Sequence, residues 1–490
     1  MNGSSEDKPT PGDWKRNRPG LVLLTSHWLS WVGFAVVITA ISTWLFFLPA
    51  EVEGHAENPY KGVVIYFIIP MILLAGTILT AAGMVLARRR IRERLQTDIT
   101  DRRGALYRLV VFLAVTIGVN LLLGTQITYR AVAYMDTPQF CGAACHVMQP
   151  EYVGHRDSNH ASVACAECHI APTAGGWIKA KMNGTRQLWQ TLTRSYSTPI
   201  PSALESGRLV PSKQTCERCH WAEKIVATRL LVIPNYADDE KNSDSYTVLM
   251  MLVGGSRMRG IHHAHFAGGY EISYAAADAK RQTIPWVERR DVRTDETKTY
   301  LAAGTTAEQA KSLSKQVMQC VDCHDRPTHA FAPPDSALNR ALALGQLSPT
   351  LPFIKKQGLA LLQANYTSRS DAKQKIPAAV DGYYKNTHPD VYAQRKAEVD
   401  AAGKALLAIY NRNVFPEQKV KWDTYSNNLG HTDSPGCFRC HDGAHTTSDG
   451  KATIGQDCAS CHQMLAVQQP EPEVLKSLGV WDHIAALKAH

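Results

Sequence analysis

Twelve cysteines occur in this 490-residue sequence, and every one stands in a pair closed by a histidine. The pairs are Cys141/Cys145–His146, Cys165/Cys168–His169, Cys216/Cys219–His220, Cys320/Cys323–His324, Cys437/Cys440–His441 and Cys458/Cys461–His462. Five read Cys-x-x-Cys-His, and the first has one more residue between its cysteines. Two thiols a turn apart can add to the two vinyl groups of one haem, and the adjoining histidine then lies beneath the iron as an axial ligand. The spacing therefore predicts six covalently attached c-type haems. One such motif alone would also suit a zinc half-site or a redox pair, and an exported chain could use twelve cysteines as six disulfides. Neither alternative accounts for a histidine closing every pair.

Low-spin iron takes a second ligand. Outside the motifs, the region after residue 130 offers His155, His160, His262, His263, His265, His329, His388, His431, His445, His483 and His490. His160, His329 and His445 each lie within five residues of a motif. So close a ring cannot easily reach around its own haem, so each is expected to serve a neighbour. The cluster around His263 and His265 is expected to supply a further ligand, with His155 and His431 completing the candidate set. His483 and His490 read as terminal surface residues. Met148 follows His146 by two positions, and two readings stay open: a thioether ligand that raises the potential, or packing.

The elements that must position these motifs divide sharply. Residues 20–50, 62–87 and 109–129 contain no Asp, Glu, Lys or Arg, and each reaches the roughly 20 residues that span a bilayer core. Pro70 kinks the second without forbidding it. Lys8, Lys15, Arg16 and Arg18 precede the first run, and Arg88, Arg89, Arg90, Arg92, Arg94, Arg102 and Arg103 lie between the second and third. The loop between the first and second runs instead carries Glu51, Glu53 and Glu57 against Lys61. The positive-inside rule places the N-terminus and the arginine loop in the cytoplasm of a bacterial inner membrane, with the haem region periplasmic. The first run lacks the short apolar core and small-residue cleavage site of a signal peptide. Only His27 and His55 precede residue 130, so haem between the spans is not expected, and His27 reads as an interfacial side chain.

The fold class expected is a multihaem cytochrome c, mostly α and irregular around stacked haems, with a small β insertion and three N-terminal transmembrane helices. Residues 1–130 form the anchor, 131–224 carry the first three motifs, 225–319 a β-rich insertion, and 320–490 the last three motifs and a C-terminal tail. Strand patterns begin at Tyr246, Tyr270 and Thr297; helical spacing covers 337–347 and 401–412. A Pro-rich linker over 468–473 precedes a short amphipathic tail. The motifs start at irregular intervals, which excludes a tandem array. The formal charge of +9 is offset by about two propionates per haem. With no basic stripe interleaved with aromatics, nucleic-acid binding is not expected.

Residues 127–225 resemble the NapC/NirT-type membrane-anchored cytochromes. The matching stretches are the first motif through Met148 and Tyr152, Ser158 through His169, and Trp177 through Trp189. Further phrases similar to inner-membrane cytochromes of metal-respiring bacteria surround Thr215–Trp221, Gly260–His265, Arg281–Trp286, Cys323–His329 and Gly436–Gly443. The resemblance implies oxidation of membrane quinol, menaquinol or ubiquinol, beside the first haem. It places a lysine at Lys181, with Lys179 nearby, in the quinol site. Partners so implied are the membrane quinone pool and a periplasmic cytochrome or reductase. Three features depart from the simpler members: three apolar runs instead of one, the longer first motif, and no acidic residue between His169 and Glu205.

The expected function is electron transfer from quinol to periplasmic acceptors. Two alternatives are a relay subunit beside other membrane respiratory subunits, and a terminal reductase with an open haem. All six motifs end in histidine, and spare histidines are plentiful, which favours transfer over catalysis at an open iron.

Overall fold

The computed structural model describes residues 23–24, 26–52, 68–94, 102–124, 126, 129–130, 134, 137–144, 146–221, 225, 227–255 and 259–488. The chain divides into two compact units, one of residues 1–140 with Ile170–Trp189 and one of Cys141–His169 with 190–490. The division is more than one cut after the membrane region, because the segment after the second motif belongs to the first unit.

The first unit is built on helices α1 (Trp28–Val52), α2 (Ile69–Arg94) and α3 (Arg102–Val119). Residues Ile69–Arg89 of α2 are long and apolar enough to cross a membrane, whereas the apolar stretches Trp28–Trp44 and Leu106–Leu122 are shorter. Small residues draw α1 and α2 together. A Cβ at Gly33 would lie 2.4 Å from the Thr80 nitrogen, and one at Gly83 would lie 2.3 Å from that of Ser30. Such small-residue contacts let apolar helices pack where no hydrophobic force separates them from lipid. His27 is buried and accepts a hydrogen bond at Nδ1 from the Leu29 N–H, 3.1 Å away. It caps the N-terminus of α1.

In the second unit, β1 (Arg229–Tyr236), β2 (Asp244–Met251) and β7 (His462–Gln469) form an antiparallel sheet in the order β1-β2-β7. A second sheet, ordered β5-β4-β3-β6, joins β3 (Tyr270–Ala275), β4 (Trp286–Asp291), β5 (Thr297–Leu301) and β6 (Lys315–Val317). The β region is thus not self-contained: its first sheet is completed by the strand that starts at the sixth motif's histidine. That strand also takes the beginning of the expected Pro-rich linker.

The largest apolar core lies between the fourth and fifth motifs. Helices α7 (Pro334–Ala343), α8 (Ile354–Gln363), α9 (Arg369–Thr387) and α10 (Lys396–Asn413) bury Leu338, Leu342, Ile354, Leu362, Ile376 and Leu406. Pro at the start of α7 suits a position whose N–H has no helical partner. Ser368 caps α9 by accepting from the Asp371 N–H at 3.0 Å.

Candidate haem-attachment sites

The motifs occupy short turns. The second is a helical turn, α5 (Cys165–His169). The third, fourth, fifth and sixth include 3-10 turns at Cys216–Arg218, Cys320–Asp322, Gly436–Arg439 and Cys458–Ser460. In the third, fourth and fifth, the histidine N–H donates to the carbonyl of the first cysteine, at 2.8 Å for His220, 2.8 Å for His324 and 3.0 Å for His441. This bond closes the turn, which sets the paired cysteines one turn apart with the imidazole adjoining them. The longer first motif includes a wider π-turn at Phe140–Ala144, which accommodates the extra residue. Cys145 and the side chain of His146 lie outside the described residues.

The cysteines expected to bind haem are not uniformly enclosed by the chain. Cys219 is exposed, as are Cys437 and Cys458, whereas the other described cysteines are partly buried. Side-chain packing therefore does not hold Cys219 in place. Its backbone does, because the Cys219 N–H donates to the Cys216 carbonyl at 3.1 Å and fixes the residue at the end of the 3-10 turn. A thiol that reacts with an incoming group must be reachable from outside, so this exposure suits attachment and departs from the buried setting of a structural cysteine.

Among the described residues, five histidine pairs face one another. Ring centres are 6.3 Å apart for His169 and His329, 5.9 Å for His160 and His220, and 6.4 Å for His262 and His324. They are 5.8 Å apart for His265 and His441 and 6.3 Å for His431 and His462. Each pair joins one motif histidine to one histidine from outside the motifs. A metal held about 2 Å from each of two imidazole nitrogens leaves the ring centres roughly this far apart.

The nitrogens fit the same purpose. His265 Nδ1 donates to the Ile261 carbonyl at 2.7 Å, and His441 Nδ1 donates to that of Gly455 at 2.9 Å. A proton fixed on Nδ1 leaves the Nε2 lone pair for a metal. The buried Nδ1 atoms of His160, His262, His329 and His462 have no hydrogen-bond partner. Burial lowers the pKa of His169, His262, His265 and His324, and lowers that of His329 well below the ordinary range, with Arg326 adding to the effect. Such rings stay neutral and able to bind metal. His169 and His324 keep accessible surface while densely surrounded, as rings lining a cleft do.

Three expected ligands face no motif imidazole among the described residues. His445 is buried with both nitrogens engaged, Nδ1 with Asp442 Oδ1 at 2.8 Å and Nε2 with the Ile284 carbonyl at 2.7 Å. His155 donates from Nε2 to the Val163 carbonyl at 2.9 Å and keeps a buried Nδ1 without a hydrogen-bond partner. His263 donates from Nδ1 to the Gly255 carbonyl at 2.7 Å, and the ring opposite His324 is that of His262. The expectation singled out His263 and His265 of this cluster, whereas His262 faces His324. The usable signal was spacing, since positions three apart share a face of a helical turn and His262 and His265 are three apart.

Met148 closes the short turn after the first motif and is partly exposed at 37%. Lys179 is exposed on α6 (Ala174–Leu192), and the side chain of Lys181 lies outside the described residues. Among the eleven described cysteines no sulfur is bonded to another. Among the described residues no three His, Cys, Asp or Glu side chains converge as a zinc site would require.

Comparison with known proteins agrees with this chemistry. The N-terminal region of the NapC/NirT cytochrome c family matches residues 102–230, which hold the first three motifs. The cytochrome c-type protein ImcH of Geobacter sulfurreducens is 35% identical over 468 residues, 91% of this chain and 90% of that protein. The cytochrome c-type protein TorC of Escherichia coli K12 is 27% identical over 23% of this chain and 32% of its own length. The cytochrome c nitrite reductase subunit NrfH of Nitratidesulfovibrio vulgaris is 27% identical over 19% of this chain and 57% of its own. No solved structure matches the chain. With paired thiols on closed turns, facing imidazoles, and a relative similar along almost its whole length, the chain belongs to the NapC/NirT cytochrome c family of electron-transport proteins with covalently bound c-type haem.

Proposed function

We propose that the chain is a hexahaem cytochrome that oxidises membrane quinol and passes electrons to a periplasmic cytochrome or reductase. In this reading α1, α2 and α3 anchor it in the inner membrane, with the N-terminus cytoplasmic and the motifs periplasmic. The observation that carries it is the five facing pairs, in which each described motif imidazole meets a second imidazole. Haem bound there supplies reversible one-electron iron chemistry. Two imidazoles at one iron leave no open position for a small substrate, which favours transfer over a terminal reductase.

The membrane end is read from α6. Its residues up to Trp189 belong to the same compact unit as the apolar helices, and α6 exposes Lys179, Met182 and Trp189. Apolar and aromatic groups beside lysine suit a quinol ring with its hydroxyl. In this reading Lys181 Nζ hydrogen-bonds a quinol oxygen and helps move its proton as the electron leaves, with Lys179 as the adjoining cation. The test is reduction of the detergent-purified protein by menaquinol and ubiquinol analogues, wild type beside Lys181→Ala. Slower reduction of the variant supports the site. Equal rates remove the lysine's role, and an inert wild type removes quinol oxidation and leaves the relay reading.

A further inference from the structure

Haem attachment requires only the cysteines and the histidine of each motif, so the residues between the cysteines are free to do something else. Here they divide by position. The first motif carries Gly142, Ala143 and Ala144 between its cysteines, and the sixth carries Ala459 and Ser460. The four inner motifs carry Ala166-Glu167, Glu217-Arg218, Val321-Asp322 and Phe438-Arg439.

These inner side chains reach to the next motif. Arg218 of the third donates from Nη1 to Glu167 Oε2 of the second at 2.7 Å. Gln319, immediately before the fourth, accepts at Oε1 from the Ser212 N–H ahead of the third, at 2.8 Å. Arg439 of the fifth donates from Nη2 to the Asp322 carbonyl of the fourth at 2.5 Å, and from Nη1 to the Arg281 carbonyl at 2.9 Å. Phe438 of the fifth stacks on His431 at 4.3 Å, and His431 faces His462 of the sixth. The thiols follow the same succession, Cys141 beside Cys165, Cys168 near Cys216 and Cys219, Cys216 beside Cys320, Cys323 near Cys437, and Cys437 near Cys461. Non-motif ligands are also shared between neighbours, since His262 and His265 of one turn face the fourth and fifth motifs.

We infer that the six attachment motifs form one unbranched series in sequence order, with Arg218, Arg439 and Phe438 as the positioning residues that hold consecutive members together. This rests on the six-haem reading above. An electron that enters at the first motif then passes singly from each site to the next and leaves at the sixth. His329 lies on the chain after the fourth motif yet faces His169 of the second, so the chain doubles back there to supply a ring.

The test is a mediated redox titration of the six-haem protein, followed optically and by electron paramagnetic resonance. It needs no quinol, so its outcome is independent of the quinol reading, and fewer than six transitions would expose a failure of the six-haem reading itself. Methionine in place of histidine raises the potential of its own site, and a neighbour that is already reduced repels the next electron. His431→Met should shift its own midpoint upward and a single other downward, because the sixth site ends the series. His262→Met, at the interior fourth site, should shift its own upward and two others downward. Arg439→Gln should move the midpoints of two sites only, and Arg439→Lys should return them partway. Two or more shifted neighbours for His431→Met, or one for His262→Met, overturns the series. Should either histidine variant lose haem, Arg439→Gln alone decides, since no shift or a shift at more than two sites overturns the positioning role.

Discussion

The rings of His262 and His324 face each other 6.4 Å apart and 5° from parallel, while His263, the next residue and held at Nδ1 by the Gly255 carbonyl, faces no described motif imidazole. The two adjacent histidines therefore predict opposite phenotypes. His262→Ala should leave one iron without its second imidazole and convert one low-spin signal to high spin. His263→Ala should keep every low-spin signal. Electron paramagnetic resonance of the two purified variants checks this, and identical spectra would remove the pairing.

His445 predicts a stability effect without a spectral one. Its buried ring satisfies the Ile284 carbonyl and Asp442. His445→Ala leaves the carbonyl unpaired, a cost of about 1–3 kcal/mol. The midpoint of chemical unfolding should fall while the haem spectrum stays as in wild type. A lost low-spin signal would instead make His445 a ligand.

The helical bundle offers a test of its own core. Lys355 is buried, with Nζ bonded to Asp335 Oδ1 at 2.6 Å and to Asn339 Oδ1. Removing one partner of a buried pair strands the other charge, at roughly 3–5 kcal/mol for a fully buried pair. Asp335 is half exposed, and Lys355 keeps Asn339, so Asp335→Ala should cost about 2 kcal/mol. Lys355→Met removes the buried charge itself and should cost less. The order of the two unfolding midpoints is the measurement.

What could be read without coordinates follows from how local each constraint is. The motifs were fully legible because thioether attachment demands fixed residue types at fixed spacing, as in Cys320-Val321-Asp322-Cys323-His324. Their exposure was not legible, since nothing in the spacing separates exposed Cys219 from its partly buried partner Cys216. The strands at 270–275 and 297–301 were legible from alternation and aromatic content, while β7 was hidden by its place beside a motif and a proline-rich stretch. Ligand pairing was not legible residue by residue. His160 reaches His220 and His329 reaches His169 across long stretches of chain, and no local pattern separates these rings from His445, whose short loop returns it to Asp442 and Ile284. The turn that presents His262 and His265 together needed its helical geometry to be recognised before its composition could be used.

A final prediction concerns pH. Glu151 lies on α4 (Gln149–Arg156), just after the first motif. Burial raises its pKa above the ordinary 4.5, and Arg326, with Nη2 3.7 Å from Oε1, offsets this only in part. Where the folded value exceeds the unfolded one, both states are protonated at low pH and the group contributes no slope. As pH rises through about 4.5 the unfolded chain loses its proton first, so the folded state binds more protons and stability falls. The fall ends once the folded carboxyl also ionises. Glu151→Gln cannot titrate, but it also weakens the contact with Arg326, so its absolute stability carries two opposed effects. The difference between wild type and variant isolates the proton. It should turn against wild type as pH rises from about 4.5 and then level off. Unfolding midpoints of both proteins across a pH series measure it, and a difference that stays flat, or moves in wild type's favour, would show that Glu151 is not held protonated by burial.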